Sequence, residues 1–279
     1  MQLLINIVSV EPFDWNNLNQ LVQSIRHQQT DNVKIQLADD LAQALTDEQR
    51  QALVTNPTTE WPTSATTYVL NLCPSDRLLP GAIAQWQSVL TEHPHTAISL
   101  ATFNTATPVT EQAESYLARH TDNLLLDTYL RMSNAENVWP QLWGLQNYSL
   151  QGNLKSFKYL SQRLRPTGII LPADQLATTY PLAAVSQNLQ LLNQQTEIIR
   201  LHVPTIQLTS WFHTVPLEWA AQLEAALTVP LTPDWQPQYL KYYRSQLKKL
   251  INDKSDAPLT DTQRQKLANQ LERTPEMEA

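Results

Sequence analysis

The sequence predicts an α/β fold in which parallel strands are joined by helical crossovers. Two observations carry that expectation. Short apolar runs rich in Val, Ile and Leu alternate with segments of helical period through the first hundred residues. The 279 residues are also enough for one large domain with an appendage and an ample buried core.

The elements follow in order. Leu3–Val10 is an apolar run that reads as an interior strand. Asp14 is a helix N-cap, and Trp15, Leu18, Leu21, Val22 and Ile25 recur at helical spacing to about Gln28. Val33–Leu37 alternates and ends at Asp39 and Asp40, giving a second strand. Thr46 and Gln49 form a capping box for a short helix to about Val54. A loop follows over Asn56–Ser64, then a third strand over Thr67–Leu72. Pro80 stands at a first helical turn and starts a helix towards His93, before a fourth strand over Thr96–Phe103.

The second half is less regular. Thr110–Arg119, Asn123–Met132, Leu150–Leu164 and Asp174–Leu192 read as helices. Val138–Tyr148 reads as a strand or an irregular ribbon, and Glu197–Leu208 as a strand. Pro216–Leu227, Gln238–Ile251 and Thr260–Leu271 close the chain as helices, with Asn252–Pro258 as a linker.

Composition narrows the function classes. The formal charge of −7 excludes a nucleic-acid binder, which needs concentrated Lys and Arg. A single cysteine rules out an intramolecular disulfide framework and fits a reducing cytosol. No signal-peptide pattern opens the chain, and no run of about 18 apolar residues crosses a bilayer. Only four glycines occur, so a P-loop or Rossmann phosphate cradle is absent. A bound nucleotide would therefore be held by side chains and a metal; the alternative for the deficit is a lineage bias towards Gln, Thr and Leu.

The order of motifs resembles a family 2 glycosyltransferase of the GT-A type over roughly residues 3–212. The shared features are Ser24, Ile25 and Gln28 closing the first helix and Asp39 and Asp40 after the second strand. They continue with the turn Cys73–Asp76 after the third strand, a helix from Pro80, His93 and Pro94, and Asp174 after Pro172. The resemblance implies a GT-A-like mixed central sheet over 1–212 and a helical C-terminal region over 213–279. It implies sugar transfer from a nucleotide-sugar donor to a hydroxyl of a glycan acceptor, in surface-polysaccharide or cell-wall glycan assembly. Asp39 and Asp40 would hold the nucleoside, Asp76 a Mn²⁺ or Mg²⁺ ion, Arg77 the phosphates, and Asp174 would act as base. The chain departs from the family pattern at three places: Cys73 and Ser75 stand where the metal motif has acids, Ala173 stands where the Glu before the base belongs, and the Gly-rich donor segment is missing. The alternative is an inactive homologue serving as a partner subunit or glycan-binding module.

Each residue carries a structural reading beside the functional one. Mg²⁺ and Mn²⁺ take oxygen ligands, so Cys73 is the wrong donor and suits a buried strand end. Asp76 is a metal ligand or a cap on its turn; Arg77 meets phosphate in a metal's place or is solvated. Asp39 and Asp40 contact ligand at the carboxyl end of a strand or merely end it. Asp174 is a general base or a first-turn acid. His93, Pro94 and His95 read as a surface turn. Trp139 and Trp143, beside Gln141 and Gln146, form a sugar platform or pack in the core. The segment 238–251 is amphipathic and basic: it docks peripherally on the inner membrane surface of a cytoplasmic protein, or packs its stripe on the sheet domain or on a second subunit of a homo- or hetero-oligomer.

Overall fold

The structure is a computed structural model describing residues 1–8, 14–28, 31–53, 64, 66–104, 148–151, 167–176, 184–194, 198–208, 216–252 and 259–274. The helices expected over Thr110–Arg119 and Asn123–Met132, most of Leu150–Leu164, and the pair Trp139 and Trp143 lie outside them. The chain forms two compact units. The first comprises 1–152, 167–176 and 197–209; the second comprises 153–166, 177–196 and 210–279.

The first unit is a mixed sheet with helices. Its elements are β1 (Gln2–Ile7), α1 (Trp15–Arg26), β2 (Val33–Leu37), α2 (Asp39–Ala44), α3 (Asp47–Leu53), β3 (Thr67–Leu72), β4 (Arg77–Leu78), α4 (Ala82–Glu92), β5 (Ala97–Asn104), β6 (Tyr148–Gln151), β7 (Ile169–Pro172) and β8 (Ile198–Leu208). The strand order is β2-β1-β3-β7-β5-β8-β4, with β6 also paired to β8. β1 pairs in parallel with β2 and β3, and β5 with β8. β7 inserts antiparallel between β3 and β5. The alternating pattern predicts only parallel strands; β7 departs from it because its pairing is set across the sheet, where one-dimensional periodicity carries no direction.

Local chemistry explains several boundaries. Asp14 caps α1, its carboxylate accepting from Asn16 N at 2.9 Å. Thr46 and Gln49 close the capping box of α3 at 3.0 and 3.2 Å. α4 begins at Ala82, two residues after Pro80, because Gly81 is left-handed (φ 69°) and interrupts the chain there. Asp39 opens the short helix α2, an element the sequence reading left out.

The core of this unit lies on one face of β1–β3. Leu3, Ile5, Ile7, Tyr68, Leu70 and Leu72 cluster there with Leu18, Leu21, Val22 and Ile25 of α1 and Ile83, Trp86 and Val89 of α4. Alternation turns Asn6 and Asn71 to the other face. They are only 2% and 1% exposed, directly opposite in register, and Asn6 Nδ2 donates to Asn71 Oδ1 at 2.7 Å. Gln36 stands beside Asn6 in the same register row. A buried amide pair of this kind is satisfied only when β1 and β3 align correctly, so it selects one register.

The second unit contains α5 (Ala184–Gln194), α6 (Pro216–Ala225), α7 (Trp235–Asn252) and α8 (Asp261–Arg273). Thr260 and Gln263 form the capping box of α8. The apolar stripe of α7 is buried through Tyr239, Tyr243, Leu247 and Leu250. The Tyr239 hydroxyl donates to Leu223 O at 2.7 Å, and Gln270 Nε2 donates to the Tyr243 hydroxyl at 2.7 Å. Arg244 turns inward, donating to Leu271 O and Thr274 O at the end of α8, where carbonyls lack helical partners. Lys241, Lys248 and Lys249 remain exposed on the opposite surface. The stripe is thus buried against α6 and α8 of the same unit, a packing the sequence reading did not name.

Two stability outcomes follow. Replacing Asn71 by Ala leaves the buried Asn6 amide without its partner and lowers unfolding free energy by about 1–3 kcal/mol in urea titration, whereas Asn6→Leu combined with Asn71→Leu costs less than the sum of the single changes. Burial, then the neighbouring tyrosines Tyr242 and Tyr243, push the Tyr239 phenol above its usual range. The folded state therefore holds this proton more tightly than the unfolded chain, and the associated stability is complete below about pH 10 and declines above it. Alkaline unfolding monitored by circular dichroism loses this component in Tyr239→Phe.

Candidate functional site at the carboxyl ends of the first strands

β1, β2 and β3 run parallel, so their carboxyl ends meet at one edge, where open α/β sheets take ligands. Asp39, Asp40 and the turn 73–76 all stand at this edge, directly after β2 and β3. Asp39 is exposed.

The turn is built by its own residues. Proline at the second position of Cys73-Pro74-Ser75-Asp76 presets the bend, and Asp76 N closes it on Cys73 O at 2.9 Å. The Asp76 side chain then folds back: its Oδ2 accepts from Cys73 N at 2.6 Å. Asp76 is 0% exposed and Cys73 is buried beside it. A charge-assisted bond to a backbone amide is what satisfies a carboxylate in such a place. Asp76 is therefore a structural acceptor within its own turn.

Arg77 is held just as firmly. Its Nη1 donates to the carbonyls of Pro74 at 3.1 Å and Asp76 at 2.6 Å. Its Nη2 donates to Asn17 Oδ1 at 2.8 Å and Gln20 Oε1 at 2.9 Å, both on α1. Burial lowers its pKa from the usual arginine range, against the raising influence of Asp76 and Asp14. The guanidinium thus latches the turn to α1. Leu78 N reaches Ser24 Oγ at 3.4 Å, and Gln28 Nε2 donates to Ser24 O at 3.2 Å, so Ser24 and Gln28 also serve this junction. Asn17 and Gln20 were missed by sequence reasoning; their signal is a polar pair three residues apart beside the apolar stripe of α1.

The chain beyond the turn is tied to β8. β4 pairs antiparallel with it through Arg77 opposite Gln207 and Leu78 opposite Ile206. Leu79 N donates to Thr205 O at 2.9 Å, and Trp86 Nε1 donates to Thr205 Oγ1 at 3.0 Å. The two-residue strand β4 is invisible to periodicity because it is too short to show one.

Asp174 stands elsewhere. β7 runs antiparallel to β3 and brings Pro172 opposite Tyr68, at the amino end of β3. Asp174 follows in a short 3-10 turn, exposed, while Ala173 packs with Leu4 and Val69. Five residues of strand separate Tyr68 from Cys73, about 16 Å. The structure brings Asp39, Asp40 and Asp76 to one edge and places Asp174 at the other. Among the described residues, Asp174 lies in a 3-10 turn over Ala173–Gln175 and the expected helix is seen over Ala184–Gln194. The turn at His93–His95 is a surface bend as expected, with His95 N donating to the Tyr68 hydroxyl at 2.7 Å.

A divalent cation of the Mg²⁺ or Mn²⁺ kind does not fit the turn. It wants several oxygen ligands, and here one position is a buried thiol and the remaining carboxylate is committed to an amide. Among the described residues no three His, Cys, Asp or Glu side chains converge into a metal site.

The mixed sheet with flanking helices defines a glycosyltransferase-like α/β fold. The solved structure of S. aureus TarS residues 1–349 matches 92% of this chain and 76% of its own length, with a TM-score of 0.50 at 9% identity. The same fragment in complex with UDP matches at a TM-score of 0.46 and 9% identity, over 91% of this chain and 73% of its own. In complex with UDP-GlcNAc the values are 0.43 and 9%, over 97% and 71%. No protein-family model and no curated protein matches the sequence.

Asp76→Ala removes the acceptor for the Cys73 amide and lowers stability by about 1–3 kcal/mol in denaturant titration, while Asp76→Asn keeps an acceptor oxygen and loses less. Arg77→Lys does not restore the wild-type value, since one ammonium cannot span four acceptors.

Proposed function

We propose that the chain is a GT-A-type, family 2 glycosyltransferase homologue of surface-polysaccharide or cell-wall glycan assembly that binds a nucleotide sugar or glycan without a metal clamp. The observation that carries this reading is the buried Asp76 carboxylate committed to the Cys73 amide. A transferase of this kind needs that position to face a cation on the donor diphosphate. Here the turn, with Arg77, serves the scaffold instead. Asp39 has an exposed side chain at this edge that can meet a nucleoside, by hydrogen bonds to ribose or base. The exposure of Asp174 is compatible with acceptor contact, but its place at the opposite edge speaks against a base for chemistry beside Asp39. The reading is therefore of a binding or partner subunit, with UDP and UDP-GlcNAc as the first ligands to test because TarS is solved with both.

The setting is cytoplasmic, at the inner membrane surface. With the α7 stripe packed away, only Lys241, Lys248 and Lys249 face an anionic leaflet, each contributing about 1 kcal/mol near the surface. Among the described residues no helix is long and apolar enough to cross a membrane.

Calorimetric titration of the full chain with UDP and UDP-GlcNAc, with and without Mn²⁺, tests the proposal. Binding is expected without metal, unchanged by Mn²⁺, and weakened roughly tenfold by Asp39→Ala, a loss of about 1.4 kcal/mol. Absence of binding to both ligands, metal-dependent tightening, or turnover of UDP-GlcNAc that requires Mn²⁺ overturns it.

A further inference from the structure

The second unit contains a cleft of about 440 Å³ between the end of α6, the middle of α7 and the outer face of α8. That size falls in the range of small-molecule sites. Its floor is the buried Tyr243, whose hydroxyl is held by Gln270. One wall is apolar: Leu240 is half-buried, and Leu227 is 36% exposed, a large hydrophobic side chain left facing solvent. The other wall is α8, which presents Lys266, Asn269 and Arg273. These recur at intervals of three, four and seven residues and so share one helix face, with the two cations about 10.5 Å apart along the axis.

Lys266 and Arg273 are exposed and make no ion pair or hydrogen bond among the described residues. Glu224 is the sole carboxylate lining the cleft, leaving it with two cations against one acid. The rim is rigid: Arg244 anchors the carbonyls of Leu271 and Thr274, and Thr274 Oγ1 donates to Gln270 O at 2.9 Å. The last turn of α8, and Arg273 on it, is thereby held in place from below.

We propose that this cleft binds an acidic saccharide, a sugar ring bearing a phosphate or carboxylate. The apolar wall of Leu227 and Leu240 covers the C–H face of a ring. Asn269 Oδ1 accepts from Gln265 Nε2 at 2.9 Å and Gln270 Nε2 donates to Tyr243, which leaves Asn269 Nδ2 to donate to one hydroxyl and Gln270 Oε1 to accept from another, while Lys266 or Arg273 takes the anion. A neutral ring leaves both cations unused, and an apolar ligand leaves the amides unused. The site is confined to the second unit and independent of the Asp39 edge.

Titration of the full chain with N-acetylglucosamine 1-phosphate, glucuronic acid, neutral N-acetylglucosamine and inorganic phosphate tests it. At least one acidic sugar is expected to bind at least tenfold more tightly than both the neutral sugar and phosphate alone; which one does so separates the phosphate from the carboxylate source. Lys266→Gln and Arg273→Gln each weaken that ligand roughly fivefold to tenfold, with unchanged circular dichroism because both side chains are exposed. UDP titration of the same variants stays at the wild-type value, so failure here is distinct from failure at the Asp39 edge. No acidic sugar binding at millimolar concentration, equal binding of the neutral sugar or of phosphate, or affinity indifferent to both substitutions overturns the proposal.

Discussion

The bond from Cys73 N to the Asp76 carboxylate decides how the chain leaves the middle of the sheet. It tightens a four-residue turn, sends the backbone from β3 into β4, and so delivers Leu78 and Leu79 to β8. Arg77 extends the same constraint to α1 through Asn17 and Gln20. Thr205 receives the next two contacts, from Leu79 and Trp86. One buried carboxylate therefore links β3, β4, β8, α1 and α4. Because it is fully buried, removing it would strand an amide without a partner, and that cost is larger than the net value of the bond itself.

This economy has a chemical consequence. A carboxylate at a strand's carboxyl end either turns outward to a ligand or turns inward to the backbone. Asp76 turns inward, and Cys73 is buried beside it. The edge of the sheet keeps parallel strand ends at which ligands can be taken, while the Asp76 carboxylate is drawn into the scaffold. Asp39 remains outward, which is why the proposed binding rests on it. In the second unit Arg244 is drawn inward to the carbonyls at the end of α8, while Lys266 and Arg273 of that helix stay exposed.

Much of the scaffold was legible in the chain. Capping residues announced α1 and α3, since a side chain that bonds the backbone two or three residues away needs no tertiary partner. β1, β2, β3 and the stripe of α7 followed from periodicity. β4 and α2 are too short to display a period, and Gly81 delayed the start of α4 that Pro80 suggested. Asn6 and Asn71 look like isolated polar residues in apolar strands until register places them opposite one another. The order of motifs correctly anticipated a mixed α/β sheet, but not which face or end each motif occupies.

By itself the sequence determined the α/β class and the turn at Cys73–Asp76 with its single acid, because these depend on residues close together in the chain. Only the tertiary structure decided that Asp76 is buried, that Arg77 is spent on α1, and that Asp174 lies at the far edge. The last two depend on strand direction and on partners 57 and 104 positions away in sequence (Arg77 with Gln20, and Tyr68 with Pro172), and the burial of Asp76 depends on what packs over its turn. Direction and partnership of that range arise from how the sheet assembles, and no local pattern of residues encodes them.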